Sequence, residues 1–115
     1  MIPKRATRTI HVRDLAIGGD APIAVQSMAA TRTRDVEATL RQVRILSAAG
    51  ADLIRIAVDS KEYAECLAEI RAETDARLSV DLQESYRLAT LVAPHVDKIR
   101  YNPGHLHHHE KTRPV

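Results

Sequence analysis

The feature that most constrains this chain is a repeating unit: a short β-branched apolar run closed by polar residues, followed by a stretch with helical periodicity. Such runs begin near residues 23, 53, 78 and 98. In order they read Ile23-Ala24-Val25-Gln26-Ser27, Leu53-Ile54-Arg55-Ile56-Ala57-Val58, Leu78-Ser79-Val80-Asp81-Leu82 and Lys98-Ile99-Arg100-Tyr101. Their length and composition fit strands buried between layers. Between them, Asp35 is placed to cap a helix with an apolar stripe of Val36, Leu40, Val43 and Leu46, and Gly50 is placed to stop it. Ser60 opens a second helix with Tyr63, Cys66, Leu67 and Ile70 on its inner face. Ser85 opens a third, carrying Leu88, Leu91 and Val92, and Pro94 helps end it. Alternating β and α elements with right-handed crossovers align all four strands in parallel.

The expected fold class is therefore α/β, the N-terminal half of a parallel (β/α)8 barrel of the TIM type. Closing such a barrel takes roughly 250 residues, about twice what is present. Ahead of the repeat, Thr9-Ile10-His11-Val12 and Leu15-Ala16-Ile17, before Gly18-Gly19-Asp20, predict a small β-hairpin that plugs the bottom of the barrel. The organisation read from sequence is a leader and hairpin over residues 1–20, then three βα units and a fourth strand over residues 21–115. The rest of the barrel and any further domain fall outside this stretch.

Composition bounds the function. An apolar content of 44% against 28% charged residues argues for a folded domain rather than a disordered one. With three Tyr and neither Phe nor Trp, the core must be aliphatic. A net charge of +2 spread along the chain gives no nucleic-acid footprint, and the Lys4-Arg5-Arg8 group reads as a solvated leader. No run approaches the roughly 20 apolar residues of a membrane span. The expectation is a cytoplasmic protein. One cysteine, Cys66, forms no internal disulfide and holds no metal or cluster by itself; on the inner face of its helix it reads as a buried structural thiol.

In parallel β/α folds, ligands bind at the carboxyl ends of the strands. The polar residues of these runs fall there: Gln26 and Ser27 close the first, Arg55 interrupts the second, Asp81 and Gln83 close the third, Arg100 and Asn102 the fourth. Two arginines at equivalent places point to an anion, with phosphate favoured, because guanidinium groups stay charged and present paired donors to oxyanions. Alternatively, Arg55 pairs with Asp81 inside the barrel, since an arginine in an apolar strand needs a partner. Asp81 then serves either to orient a substrate hydroxyl or to anchor Arg55. Asn102-Pro103-Gly104 is also a good turn in its own right. His105, His107, His108 and His109 invite a metal reading, but no helix spaces them and no carboxylate or thiol completes a site, so they read as a loop.

Taken together, Ala21-Pro22-Ile23-Ala24-Val25-Gln26-Ser27-Met28, Thr31-Arg32-Thr33, Asp35-Val36-Glu37-Ala38-Thr39, Gly50-Ala51-Asp52-Leu53-Ile54-Arg55 and Ile99-Arg100-Tyr101-Asn102-Pro103-Gly104 form an ordered pattern. It closely resembles the N-terminal part of the 4-hydroxy-3-methylbut-2-en-1-yl diphosphate synthases, over nearly the whole chain. The resemblance implies an iron–sulfur oxidoreductase of the non-mevalonate isoprenoid pathway. Its members reductively convert 2-C-methyl-D-erythritol 2,4-cyclodiphosphate to hydroxymethylbutenyl diphosphate. It further implies a [4Fe–4S] cluster held by three cysteines and a glutamate of a C-terminal domain not in this chain, a homodimer, and ferredoxin or flavodoxin as electron donor. By the same resemblance Arg55 and Arg100 line a diphosphate pocket, Asp81 and Asn102 contact substrate, and this piece alone has no turnover. The pattern departs at Gln83, where many relatives carry histidine, and at His105, where asparagine is usual. Gln83 can still donate a hydrogen bond to phosphate but brings no charge. Two rival readings are a pterin-binding transferase barrel and a free-standing open-sheet binding domain.

Overall fold

The computed structural model describes residues 5–30, 35–58, 60–82 and 86–101. A hairpin of β1 (Ile10–Val12) and β2 (Leu15–Ile17) precedes β3 (Gln26–Met28), α1 (Val36–Ala48), β4 (Leu53–Ala57), α2 (Lys61–Glu73) and β5 (Leu78–Asp81). A 3₁₀ turn (Tyr86–Leu88), the short α3 (Ala89–Val92), a second 3₁₀ turn (Ala93–His95) and β6 (Lys98–Arg100) complete the described chain. The hairpin is antiparallel; the other four strands form one parallel sheet in the order β3-β4-β5-β6. Sequential order without reversal is the winding of a barrel wall. A doubly wound sheet reverses its strand order part-way.

The helices follow their sequence signals. Asp35 accepts a hydrogen bond from Ala38 N at the start of α1, and Ser60 accepts one from Tyr63 N at the start of α2. Helix α1 ends in a Schellman motif: Gly50 N donates to Ser47 O, Ala51 N donates to Leu46 O, and Gly50 takes φ +105°. Both helices bury their stripes on the same sheet face. There Leu40, Val43, Leu67, Ile70 and Val92 pack against Ile54, Ile56, Leu78 and Val80.

An unforeseen device sets the strand register twice. Asp52, just before β4, donates its N–H to Val25 O and accepts from Val25 N through its carboxylate. Asp97, just before β6, does the same to Leu78. Each aspartate thus closes a two-bond ring on the start of a neighbouring strand, satisfying backbone groups at the sheet's end.

Two elements differ from expectation. The first barrel strand begins at Gln26 rather than Ile23, because the ladder starts at Gln26 opposite Leu53, and nothing lies opposite Ile23, which is 92% exposed. The third helix is broken by 3₁₀ turns. Its tighter winding changes the phase, so Ala89 and Val92 are buried and Leu91 is exposed. Pro94 lies near the start of the second 3₁₀ turn, where its missing N–H costs nothing. The third helix's expected start, Ser85, lies outside the described residues. Cys66 is half-buried, not buried. No described helix is long and apolar enough to cross a membrane.

Candidate functional site

Strand alternation sends every second side chain to the face opposite the helices. Register places these residues in rows. Gln26 pairs with Leu53; Met28, Arg55, Ser79 and Lys98 form the next row; Ala57, Asp81 and Arg100 form the row at the carboxyl ends. The outer face is aliphatic; the inner face carries charge. Lys98 Nζ on β6 reaches Gln26 Oε1 on β3 at 3.4 Å. In a flat sheet strands three places apart would be about 14 Å from each other, so this contact requires the sheet to curl with its charged face concave.

At the mouth Asp81 is the organising group, its side chain 5% exposed. Its Oδ2 accepts from Arg100 Nη1 at 2.9 Å and lies 3.7 Å from Arg55 Nε. The sequence reading left Arg55 between an anion contact and an ion pair with Asp81; the structure shows the pair. Arg55 Nη2 also lies 3.3 Å from Met28 Sδ. Arg100, 44% exposed, faces the open side and keeps donors beyond the one given to Asp81. Among the described residues, Arg55, Lys98 and Arg100 face one carboxylate, so the concave face is net positive. Asn102, Gln83 and the histidines 105 and 107–109 lie outside the described residues.

Sequence reasoning missed part of this face. Lys98 and Ser79 were read only as strand residues, although period-two alternation in Lys98-Ile99-Arg100 already puts Lys98 beside Arg100. Gln26 and Ser27 were expected at the mouth. The later start of β3 puts Gln26 in the row furthest from the mouth and Ser27 on the helix side.

A second charged region lies at the amino ends of the strands. Arg77 donates to both carboxylate oxygens of Asp14, at 2.7 and 3.0 Å, and to Asp52 O at 3.2 Å. Arg13 reaches Asp75 and Asp97, and Asp97 also pairs with Arg71 at 3.4 Å. These contacts moor the turn of the β1–β2 hairpin to the bottom of the sheet. The hydrogen bond from Arg77 holds the Asp14 carboxyl below its ordinary pKa, and Asp14 raises that of Arg77. A cleft of about 430 Å³ opens here, lined by Arg13, Asp14, Asp52, Asp75 and Arg77 among others. Its ionic groups are largely paired with one another, which leaves little for a ligand.

A family model described as the GcpE TIM-barrel domain matches residues 7–115. This chain belongs to that family. Within the GcpE family it is 57% identical over 110 residues to a 4-hydroxy-3-methylbut-2-en-1-yl diphosphate synthase (flavodoxin) of Rhodopirellula baltica, covering 96% of this chain and 29% of the relative. It is 49% identical over 115 residues to the enzyme of the same name from Acidithiobacillus ferrooxidans, covering 99% and 31%. A third, from Nitratiruptor sp., is 48% identical over 109 residues, covering 95% and 31%. The chain thus spans about 30% of the length of these curated relatives. Membership of the GcpE TIM-barrel family and the unreversed strand order agree on a barrel wall over an open doubly wound sheet. In this GcpE barrel segment no group of three or more His, Cys, Asp or Glu among the described residues is arranged to hold a metal ion. With its single half-buried cysteine on a helix, the segment does not fit an iron–sulfur cluster.

Proposed function

We propose that this segment is the substrate-binding part of a 4-hydroxy-3-methylbut-2-en-1-yl diphosphate synthase, and that its concave face takes the 2,4-cyclodiphosphate. The observation that carries the reading is Asp81, nearly buried, holding Arg55 and Arg100 together at the carboxyl ends of their strands. A carboxylate shared by two guanidinium groups fixes their direction without cancelling their charge, so both can present N–H donors to phosphoryl oxygens. Asp81 positions; Arg100, the more exposed, makes first contact. Asn102 and Gln83 are assigned to the same mouth by the family pattern, Asn102 as a neutral donor and acceptor and Gln83 as a phosphate hydrogen-bond donor.

Reduction in such an enzyme draws electrons from a [4Fe–4S] cluster, which the residues here do not fit. The relatives' names make flavodoxin the favoured electron donor over ferredoxin, and a homodimer remains the expected assembly. The residues of this chain bind and orient the anion; on this reading the chain alone has no turnover. Calorimetric titration of the chain with the cyclic diphosphate tests the proposal. Arg100→Ala and Arg55→Ala should each weaken binding by about tenfold or more, the usual worth of a charge-assisted hydrogen bond. Unchanged affinity in both would remove these arginines from the site.

A further inference from the structure

The helix side of the sheet carries a surface that the described fold leaves unpartnered. In α1, Leu40 and Val43 are buried against the sheet, so the helical period turns Arg41 and Ile45, one turn apart, outward. Ile45 is 61% exposed, with Arg44 exposed beside it. In α2, Ala64, Leu67 and Ile70 are buried, and Glu65 and Glu69 are turned outward next to the small side chains of Ala68 and Ala72. Although α1 and α2 are neighbours, Arg41, Arg44, Glu65 and Glu69 form no ion pair among the described residues. Like charges one turn apart on α2 repel each other, and Ile45 holds apolar area in water. A partner that brings cations to α2 and cover to Ile45 relieves both. An acidic partner would be repelled by α2 and a basic one by α1; a second copy of this chain, turned through a two-fold axis, answers both at once.

We propose that the outer faces of α1 and α2 form a self-association surface, on which α1 of each copy lies against α2 of the other in an isologous dimer. Both helices have 13 residues and lie side by side on one face of a parallel sheet, so they run in the same direction. A two-fold axis midway between them and parallel to both lays α1 on the second copy's α2 at the same level. Arg41 and Arg44 then meet Glu65 and Glu69, because each pair occupies the middle turns of its helix. Ile45 falls between Ala68 and Ala72, whose small side chains let the helices approach. Near the helix starts the same operation sets Glu37 against Lys61, again with opposite signs, and symmetry makes every contact twice. Two helices about 20 Å long and 10 Å wide present roughly 400 Å² per copy, about half the share of a standard interface. The dimer is therefore weak, and its exposed charge pairs make it sensitive to salt. This surface lies opposite the charged concave face, so it stands independently of the anion reading.

Sedimentation velocity of the full chain from about 10 μM to about 1 mM, at low salt and at about 0.5 M sodium chloride, tests this. Wild type should pass from monomer to dimer over that range, with salt raising the dissociation constant by about tenfold or more. The double variants Arg41→Glu/Arg44→Glu and Glu65→Lys/Glu69→Lys should each stay monomeric at low salt, with thermal melting recorded to show that they fold. An equimolar mixture of the two should dimerise, because every contact then joins opposite charges. Ile45→Ala should weaken association by about tenfold, since the lost apolar area counts in both copies. Wild type that stays monomeric at about 1 mM in low salt overturns the proposal, as does a mixture of folded variants that stays monomeric. Association that survives in both folded charge variants also overturns it and moves the contact to another surface, such as the outer edges of β3 and β6. Should either double variant fail to fold, Ile45→Ala and salt decide: association unchanged by both overturns the proposal.

Discussion

Replacing Asp81 with asparagine should separate the stability of this sheet from its affinity for anions. The carboxylate attracts Arg100 at 2.9 Å and Arg55 at 3.7 Å, and each attraction is worth roughly 5 kcal/mol gross at an effective dielectric of about 20. Keeping a nearly buried carboxylate out of water takes back several kcal/mol, and the partial exposure of Arg100 screens its pair further. Asparagine preserves volume and one acceptor, so no cavity forms. The expected net loss is about 2–4 kcal/mol, arising mainly because Arg55 is left as an uncompensated cation in a packed row. For a domain of this size that lowers the melting midpoint by roughly 10–20 °C, read by circular dichroism. Pyrophosphate affinity should hold or rise, because the concave face becomes more positive. A midpoint shift below about 3 °C would show that Asp81 does not organise the arginines. A parallel loss of pyrophosphate binding in folded protein would show that the direction the carboxylate gives Arg55 and Arg100 outweighs the negative charge it brings.

Two further outcomes follow from the bottom of the sheet and from α1. Asp14 has a lower pKa folded than unfolded, so its contact with Arg77 stabilises fully above the unfolded value of about 4 and is lost as pH falls through the depressed folded value. The protection of the Val12 and Leu15 amides, relative to their intrinsic exchange rates at each pH, should therefore fall at acid pH in the wild-type chain, and Asp14→Asn should show the lower protection already at neutral pH; equal protection in both proteins at neutral pH would refute the mooring. Gly50→Ala meets no atom within 4 Å but forces a side chain onto φ +105°, so urea denaturation should show a loss of about 1–2 kcal/mol from backbone strain alone, whereas an unchanged midpoint would argue that the turn relaxes.

What the sequence disclosed depended on the range of the interaction. Helix starts at Asp35 and Ser60, and the stop at Gly50, are local chemistry and were legible. So were β4, β5 and β6, whose apolar runs need no partner to be recognised. The start of β3 was not, because Ile23 and Val25 are apolar yet lie beyond the end of the neighbouring strand, and only Asp52 reveals where pairing begins. The third helix failed for a similar reason: Leu88, Leu91 and Val92 fit a helical stripe, and the 3₁₀ turns that rotate Leu91 outward leave no trace in spacing. Arg55, Asp81 and Arg100 were found because a charge in an apolar strand is conspicuous. Ser79 and Lys98 looked ordinary until register aligned them across the sheet. The contacts of Arg13 and Asp14 with residues 75–77 span more than 60 positions, beyond any local pattern.

Fold and charge are not independent here. Were β3 to β6 part of a doubly wound sheet, helices would cover both faces, and Arg55, Ser79, Lys98 and Arg100 would sit beneath apolar helices with, among the described residues, a single carboxylate to answer three cations. Desolvating them would cost more than the packing returns. Strand order without reversal puts all the described helices on one face and leaves the other open and curled, where water, later strands or an anion can reach the charges. The alternation that gives α1 and α2 an aliphatic wall to pack on thus also makes the opposite wall the one that faces the barrel's interior. Because Asp81 is shared by two arginines while Lys98 has a neutral partner, that wall is net positive over two successive rows of the described residues.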